Sequence, residues 1–318
     1  ARRAAELVRL HGNSDAPLYL QLDFFAPHQP FFIPGGLEKR EAELRDVVEI
    51  PASWRQLQRM DFACPEREPY VYEQYQRNWG LYKEDTLRDY ITAHLLQMEV
   101  LDRALGVFLD AMMETGTYGD SMVVFLGDHG EMNGHRGLID KGVYGHPRVE
   151  QVPLRVKLPR NESAGQSVDS SVCLLDLAPT LLETAGISVE ARLDGESLLP
   201  FIRSGQRARS RPFLFESGWH VTANPAVSIQ HRIPGRGHFL YTYNVSSPYD
   251  ELYDLNDEEY HNLIAEERLQ DVRAQMVARM ASVLRSDRRW RCYWHAFRLE
   301  KQEELELESG DTQMFVPE

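Results

Sequence analysis

The chain has 318 residues, of which 42% are hydrophobic and 26% are charged, as in ordinary globular proteins. Its 49 acidic and 35 basic residues give a formal net charge of −14 at pH 7. This charge argues against nucleic acid as a partner, because phosphate binding needs a basic face. No apolar run approaches the roughly 18 residues of a membrane span, so we expect no span.

The chain starts at Ala1 with neither an initiator methionine nor the apolar core of a signal peptide. We therefore expect it to begin inside a larger protein. Residues Leu18–Phe24 are apolar and rich in β-formers, which predicts a buried strand. His28 follows between Pro27 and Pro30, in a loop that the prolines stiffen. Residues 34–80 predict long loops with short helices.

Apolar residues recur at spacings of three and four from Glu84 to about Thr115, which predicts a long helix closed by Gly116. A short apolar strand over residues 121–126 then leads directly into Gly127-Asp128-His129-Gly130. A helix, a buried strand and a polar loop in this order form an α/β repeat. In open parallel sheets, ligands bind just beyond the carboxyl ends of such strands.

Further along the chain, residues 152–159 predict a strand and residues 176–185 predict a helix. The basic, turn-rich stretch 203–212 indicates a domain boundary. Strand candidates at 213–215, 227–229 and 238–243 then predict a small antiparallel sheet. A last helix is predicted over roughly 257–285, and the acidic tail from Lys301 is expected to be poorly ordered.

Three polar positions have the chemistry of an anion site. The carboxylate of Asp128 suits a hard divalent cation, and the neighbouring His129 nitrogen can add a ligand. Lys141 lies in a glycine-rich stretch, where an ammonium can neutralise sulfate or phosphate. His28 suits a general acid or an anion contact. Each residue taken singly is explained better by a solvated turn, a surface lysine or a loop histidine.

Several stretches taken together, in this order, resemble the sulfatase family of the alkaline-phosphatase superfamily. They are Leu20-Gln-Leu-Asp-Phe-Phe-Ala-Pro-His-Gln-Pro30, Gly127-Asp-His-Gly-Glu-Met-Asn-Gly-His-Arg-Gly-Leu-Ile-Asp-Lys-Gly142, Val152-Pro-Leu154, Leu174-Leu-Asp-Leu-Ala-Pro-Thr180, Asp194-Gly-Glu-Ser-Leu-Leu199 and Glu251-Leu-Tyr-Asp-Leu255. The resemblance covers about residues 15 to 268.

The resemblance implies an α/β fold with a mixed, mostly parallel sheet sandwiched by helices, followed by a small C-terminal antiparallel sheet and helix. We expect the catalytic core at residues 1–204 and the C-terminal subdomain at 205–318. The resemblance also implies one Ca²⁺ ion, with Asp128 and His129 among its ligands. It implies Lys141 and His28 as catalytic residues that contact the sulfate or the leaving group, and a formylglycine made from Cys or Ser as the nucleophile.

The chain departs from the family pattern in two respects. None of its cysteines (Cys64, Cys173 and Cys292) begins the Cys/Ser-x-Pro/Ala-x-Arg motif, and no Asp-Asp pair precedes Leu18. The nucleophile and the first metal ligands are therefore expected in a missing N-terminal part. The family usually has an acidic residue and a histidine where His135 and Arg136 stand here, so these two are predicted to take part in substrate recognition.

We therefore expect a sulfuric ester hydrolase acting on a small-molecule or saccharide sulfate ester, and we expect residues 1–318 alone to be inactive. One alternative is a phosphate or phosphonate ester hydrolase of the same superfamily. The other is an inactive sulfatase-like binding protein, although the joint presence of Asp128, His129, Lys141 and His28 speaks against decay of the site. A secreted, periplasmic or lysosomal location is favoured over the cytoplasm. Nothing in the sequence indicates an oligomeric state.

Overall fold

A computed structural model of the chain describes residues 1–12, 14–31, 33–63, 68–168, 170–205 and 212–305. Three predictions fall partly or wholly outside these residues: the motif after Cys64, most of the predicted boundary at 203–212 and the acidic tail beyond residue 305. Within the described ranges, no helix combines the length and apolarity needed to cross a membrane.

The described helices and strands alternate irregularly along the chain. The α-helices are α1 (Arg2–His11), α2 (Glu38–Val47), α3 (Ala52–Arg59), α4 (Tyr70–Trp79), α5 (Glu84–Glu114), α6 (Thr117–Asp120), α7 (Pro147–Glu150), α8 (Leu177–Thr184), α9 (Leu199–Ser204), α10 (Gln270–Ser286) and α11 (Arg291–Glu300). The strands are β1 (Val123–Leu126), β2 (Leu154–Lys157), β3 (Phe213–Trp219), β4 (Ala223–Ile233), β5 (Gly237–Asn244) and β6 (Glu251–Asp254).

These elements form two compact units that are interleaved in the sequence. The first unit comprises Ala1–Pro51, Leu81–Asp128 and Val152–Arg209, and the second comprises Ala52–Gly80, His129–Gln151 and Ser210–Glu318. The boundary predicted at residues 204/205 stays a prediction.

The first unit is organised by the long helix α5, which confirms the helix predicted from Glu84 to about Thr115. Helices α1 and α2 pack against it. Leu87 and Leu96 of α5 are buried because the apolar stripe faces these neighbours. Arg9 pairs with Glu114 at 2.8 Å on the exposed side, an ion pair that contributes little net stability in water.

Strands β1 and β2 pair antiparallel in the first unit, with Val123 opposite Lys157 and Leu126 opposite Leu154. Both strands were predicted from their apolar runs, and both are confirmed. The strand predicted at Leu18–Phe24 is wrong: the backbone there is unpaired within the described residues, and Tyr19 is 70% exposed. An apolar run becomes a strand only where a neighbour supplies hydrogen-bond partners.

The second unit is built on a four-stranded antiparallel sheet in the order β3-β4-β5-β6. Its inward side chains alternate along each strand and pack with α10 and α11 in one core. The fully or almost fully buried members of this core include Val227, Ile229, Phe239, Tyr241, Leu252, Val272, Met276, Met280 and Phe297.

The predicted α/β class and the C-terminal antiparallel sheet with its helix are therefore confirmed. All strand pairs within the described ranges are antiparallel. The described residues therefore contain no parallel pair of the predicted mostly parallel sheet. The helix predicted from 257 begins only at Gln270. The carboxylate of Asp257 instead accepts hydrogen bonds from the backbone N–H groups of Glu259 and His261 and holds a turn.

A buried carboxyl group makes the second unit sensitive to pH. The Glu150 atom Oε2 is buried without a hydrogen-bond partner among the described residues. Burial raises the pKa of Glu150 from 4.5 to about 8, although a hydrogen bond with Ser228 opposes the rise. The folded state therefore holds a proton on Glu150 that the unfolded chain releases near pH 4.5. The stability that this bound proton gives the folded state is complete below pH 4.5 and is lost as the pH rises through about 8.

Replacing Glu150 with Gln should flatten this pH dependence, because a neutral amide has no proton to lose. Between pH 6 and pH 8 the unmodified chain should lose about 2 kcal/mol more of its unfolding free energy than Glu150→Gln. Urea unfolding at the two pH values measures the difference. Glu303→Gln, at an exposed position, is the control and should follow the unmodified chain. Parallel pH curves for all three proteins would contradict the raised pKa of Glu150.

Candidate active site

The polar loop after β1 starts with a close approach of two backbone segments. Gly130 donates its N–H to the carbonyl of Val149 at 2.8 Å. A Cβ atom at Gly130 would lie 1.8 Å from the carbonyl oxygen of Arg148, so only glycine fits there. This contact joins the two ends of the segment that contains Lys141.

The carboxylate of Glu131 holds the next part of the loop together. Its Oε1 atom accepts hydrogen bonds from the N–H groups of Asn133 at 3.1 Å and Asp140 at 2.5 Å. Met132 donates its own N–H to the Asp140 carbonyl at 3.2 Å, and its side chain is fully buried. The loop is therefore closed on itself one residue before Lys141, a role for Glu131 that the sequence did not predict.

Lys141 follows this closure and is 25% exposed at its side chain. Its ammonium lies 3.7 Å from the carboxylate of Asp140, which is buried. At Gly142 the backbone takes a φ of +48°, and a Cβ atom there would lie 2.4 Å from the ring of Tyr144. The backbone on both sides of Lys141 is thus restricted, while a quarter of its side chain stays exposed.

Asp128 ends the Leu81–Asp128 segment of the first unit, and His129 begins the His129–Gln151 segment of the second. Asp128 is exposed and stands two residues after the end of β1. His129 is half-buried, and its Nδ1 lies 2.9 Å from the carbonyl oxygen of Gly130. A carbonyl can only accept, so Nδ1 carries the proton in this hydrogen bond and the lone pair is on Nε2. This is the tautomer that a histidine ligand needs.

His28 belongs to the first unit and has the same local arrangement. Its Nδ1 lies 2.6 Å from the carbonyl oxygen of Gln29, so its lone pair is also on Nε2. The Gln29 side chain accepts a hydrogen bond from Tyr90 at 2.9 Å, which ties this loop to α5. The imidazole of His28 is therefore held in one orientation by its own backbone.

His135 and Arg136 lie in the second unit, in a buried polar network. Arg136 forms an ion pair with Glu68 and donates to the Tyr253 hydroxyl at 3.0 Å. Its guanidinium lies 5.2 Å from the ring centre of Tyr72. Burial, and secondly the charge of Arg148, lower the pKa of His135 to about 3. His135 is therefore uncharged at neutral pH.

This network contains two acidic partners whose ionisation burial disfavours. Burial raises the pKa of Glu68 to about 7, although the Arg136 charge opposes the rise. Burial also raises the pKa of Glu251, against hydrogen bonds from Tyr253, Tyr72 and Asn244. The contacts of Arg136 are those of a scaffold residue, because a buried guanidinium requires such partners. Its predicted part in substrate recognition stays a prediction, as does that of His135.

The chain thus divides the predicted site residues between its units, with His28 and Asp128 in the first and His129, His135, Arg136 and Lys141 in the second. Within the described ranges, no three His, Cys, Asp or Glu side chains are grouped as metal ligands. The donors at Asp128 and His129 fit part of a calcium shell. Since Ca²⁺ takes about 6–8 ligands, mostly oxygens, they do not complete one.

Two protein families match this chain. The family described as Sulfatase matches residues 1–187, and N-sulphoglucosamine sulphohydrolase, C-terminal, matches residues 134–286. Arylsulfatase K of Xenopus laevis is 31% identical over 167 residues, which are 52% of this chain and 29% of that protein. The choline-sulfatase of Rhizobium meliloti (strain 1021) is 30% identical over 175 residues, or 54% of this chain and 32% of that protein. The chain thus spans less than half of either relative.

The fold has a solved counterpart in the phosphonate monoester hydrolase of Agrobacterium radiobacter. The two structures superpose with a TM-score of 0.69 at 21% identity, over 88% of this chain and 59% of that one. At this identity the likeness concerns the fold, which is alkaline-phosphatase-like. Because the sulfatase profile matches more than half of the chain, over a stretch that includes His28, Asp128, His129 and Lys141, the chain is a member of the sulfatase family.

Proposed function

We propose that this chain is part of a sulfuric ester hydrolase and carries the second half of its active site. The observation that carries the proposal is the family match over residues 1–187. That stretch contains a loop whose backbone is closed one residue before Lys141, and Asp128 and His129 precede this loop. Fold alone does not imply an activity, so the proposal rests on these residues together with the family.

In this proposal Asp128 and His129 supply two ligands of one Ca²⁺ ion. Sulfatases generally use calcium and a formylglycine nucleophile. The exposed carboxylate of Asp128 offers hard oxygens, and His129 presents Nε2 with its lone pair because Nδ1 donates to Gly130. The ion, when bound, withdraws charge from the sulfuryl oxygens.

The nucleophile is proposed to lie outside residues 1–318. No cysteine or serine of the chain begins a Cys/Ser-x-Pro/Ala-x-Arg motif. The chain also spans only 29% and 32% of the two relatives named above. Residues 1–318 are therefore proposed to bind the sulfate and stabilise its charge, while the nucleophilic attack on sulfur is assigned to the remainder of the protein.

Lys141 is proposed to contact the sulfate and the leaving-group oxygen. Its ammonium is a compact charge that can neutralise an anion. The preorganised backbone on either side of it reduces the reorganisation needed when negative charge develops on the leaving oxygen. His28 is proposed as the second contact, where its Nε2, once protonated, can donate a hydrogen bond to the sulfate or the leaving group.

The substrate is proposed to be a small-molecule or saccharide sulfate ester, in line with the names of the arylsulfatase and choline-sulfatase relatives. A secreted, periplasmic or lysosomal location stays a prediction. The fold likeness to a phosphonate monoester hydrolase supports one second candidate, hydrolysis of phosphonate or phosphate esters. Parallel assays of 4-nitrophenyl sulfate and phenylphosphonate esters with the complete protein decide between them, because the preferred substrate has the higher kcat/KM.

Replacing Lys141 with Ala in the complete protein should lower kcat/KM for sulfate release by roughly 10²–10³-fold, the usual cost of removing a group that stabilises developing charge. Release of sulfate from 4-nitrophenyl sulfate measures the effect. Lys39→Ala, which removes a lysine that is 93% exposed, is the matched control and should leave the rate unchanged. Equal rates for the two variants would remove Lys141 from the site.

Replacing Asp128 with Ala should lower the calcium content of the complete protein, because an oxygen donor is lost from the metal shell. Elemental analysis after dialysis against calcium-free buffer gives the bound ion per molecule. Asp110→Ala, at an exposed position on α5, should retain the calcium of the unmodified protein. If Asp128→Ala keeps a full complement of calcium, the ligand assignment is wrong.

Residues 1–318 on their own should release no sulfate, since the proposed nucleophile is not among them. The purified chain is incubated with 4-nitrophenyl sulfate and calcium, and its rate is compared with that of the same chain carrying Lys141→Ala. Identical background rates are expected. Turnover by the unmodified chain that Lys141→Ala abolishes would show that a nucleophile is present within the 318 residues.

A further inference from the structure

The buried carboxylate of Asp140 lies between Lys141 and a histidine from a distant part of the sequence. One oxygen, Oδ1, is 3.7 Å from the Lys141 ammonium, and the other, Oδ2, is 3.5 Å from Nδ1 of His220. Asp140 is 1% exposed and His220 is 31% exposed at its side chain. All three residues belong to the second unit.

His220 stands in the short connection between β3 and β4, where its N–H donates to the carbonyl of Thr222 at 3.1 Å. Helix α4 supports this connection at two points. The Tyr75 hydroxyl accepts a hydrogen bond from the N–H of Val221 at 3.3 Å. Thr222 donates its hydroxyl proton to Gln74 at 3.0 Å. The backbone around His220 is therefore fixed to α4.

The ring of His220 is also held from two sides. The Tyr75 hydroxyl lies 3.4 Å from its Nδ1, and the ring of Trp79 packs edge-on at 5.8 Å between centroids. Tyr75 packs in turn on Tyr144 at 5.0 Å, three residues after Lys141. The imidazole thus has a defined position against Asp140, although His220 lies between β3 and β4 and Asp140 lies in the loop after β1.

We propose that Asp140 and His220 are positioning residues that set the Lys141 ammonium for its contact with the sulfate ester. This inference rests on the proposed function of Lys141. A lysine side chain has four flexible bonds and loses rotamer freedom when it is held in one place. The buried Asp140 carboxylate supplies the attraction that holds it, and His220 keeps that carboxylate from turning away.

The arrangement also explains why an acidic residue next to an anion site is tolerated. A carboxylate beside Lys141 weakens the attraction of that lysine for sulfate. A hydrogen-bond donor on the opposite oxygen stabilises part of the carboxylate charge. The N–H group of Gly142 donates to that oxygen at 3.5 Å, and Nδ1 of His220 lies 3.5 Å from it. Lys141 is thereby oriented while its charge is only partly neutralised.

The test uses the complete protein with His220→Phe, which keeps an aromatic ring against Trp79 and removes both ring nitrogens. Steady-state rates are measured with 4-nitrophenyl sulfate, which has a good leaving group, and with phenyl sulfate, which has a poor one. We expect kcat for phenyl sulfate to fall roughly 10–100-fold, as misplacement of a reacting group does, and kcat for 4-nitrophenyl sulfate to fall less. A purely structural defect would lower both rates by the same factor.

Two further variants keep the test decisive. His220→Asn retains an amide near the position of Nδ1 and should restore most of the phenyl sulfate rate. Asp140→Asn preserves the shape of the carboxylate without its charge and should show the same leaving-group dependence as His220→Phe. If His220→Phe unfolds at a lower temperature than the unmodified protein, the result for Asp140→Asn decides.

His261→Phe is the matched control, because His261 also pairs with an aspartate, Asp257, at 2.9 Å, but at an exposed position. It should leave both rates unchanged. A lowering by His261→Phe equal to that of His220→Phe would overturn the inference, since it would show that loss of any His–Asp pair has this effect.

A double-mutant cycle separates this inference from the proposed function. If His220 acts through Lys141, His220→Phe should have no further effect once Lys141 is Ala. An undiminished effect of His220→Phe in the Lys141→Ala protein would overturn the positioning role while leaving the proposed function standing. If Lys141→Ala alone has no effect on rate, the proposed function fails and the inference fails with it.

Discussion

The hydrogen bonds accepted by the Glu131 carboxylate close the loop on which the candidate site depends. One oxygen receives the N–H groups of Asn133 and Asp140, so two backbone positions seven residues apart in the sequence share one acceptor. A charged acceptor makes stronger hydrogen bonds than a neutral one. This closure fixes the backbone of Asp140, whose N–H is one of the two donors. Lys141 is the next residue, so its backbone position depends on the same hydrogen bond.

Arg136 of the same loop belongs to a buried polar network that the sequence did not suggest. Arg136 is paired with Glu68 and contacts Tyr253, while Glu251 accepts from Tyr72 and Tyr253. Removing one partner of such a network leaves a buried charge without compensation, which is costly. The network therefore requires its partners to be present together. It holds Arg136 through Glu68 and Tyr253, and the part in substrate recognition that the family pattern suggests for Arg136 stays a prediction.

Much of the local structure could be predicted from the sequence. The apolar periodicity of α5 and the short apolar runs of β1 and β2 were sufficient, because each depends on residues within one element. The run at Leu18–Phe24 has the same local character and forms no strand among the described residues. Strand β6 was not predicted as a separate strand, although its side chains are almost completely buried. In both cases the outcome depended on whether a neighbouring strand supplied hydrogen-bond partners, which the residues of one segment do not specify.

The sequence by itself determined the family, the α/β class and the identity of the candidate residues His28, Asp128, His129 and Lys141, because these are carried by short motifs in a fixed order. Only the tertiary structure decided what surrounds them. Asp140 contacts His220, which is 80 residues later in the sequence. Arg136 contacts Glu68, far before it in the sequence, and Tyr253, far after it. Contacts of this kind leave no local pattern in a single sequence, since they depend on how β3, β4 and α4 pack within the second unit.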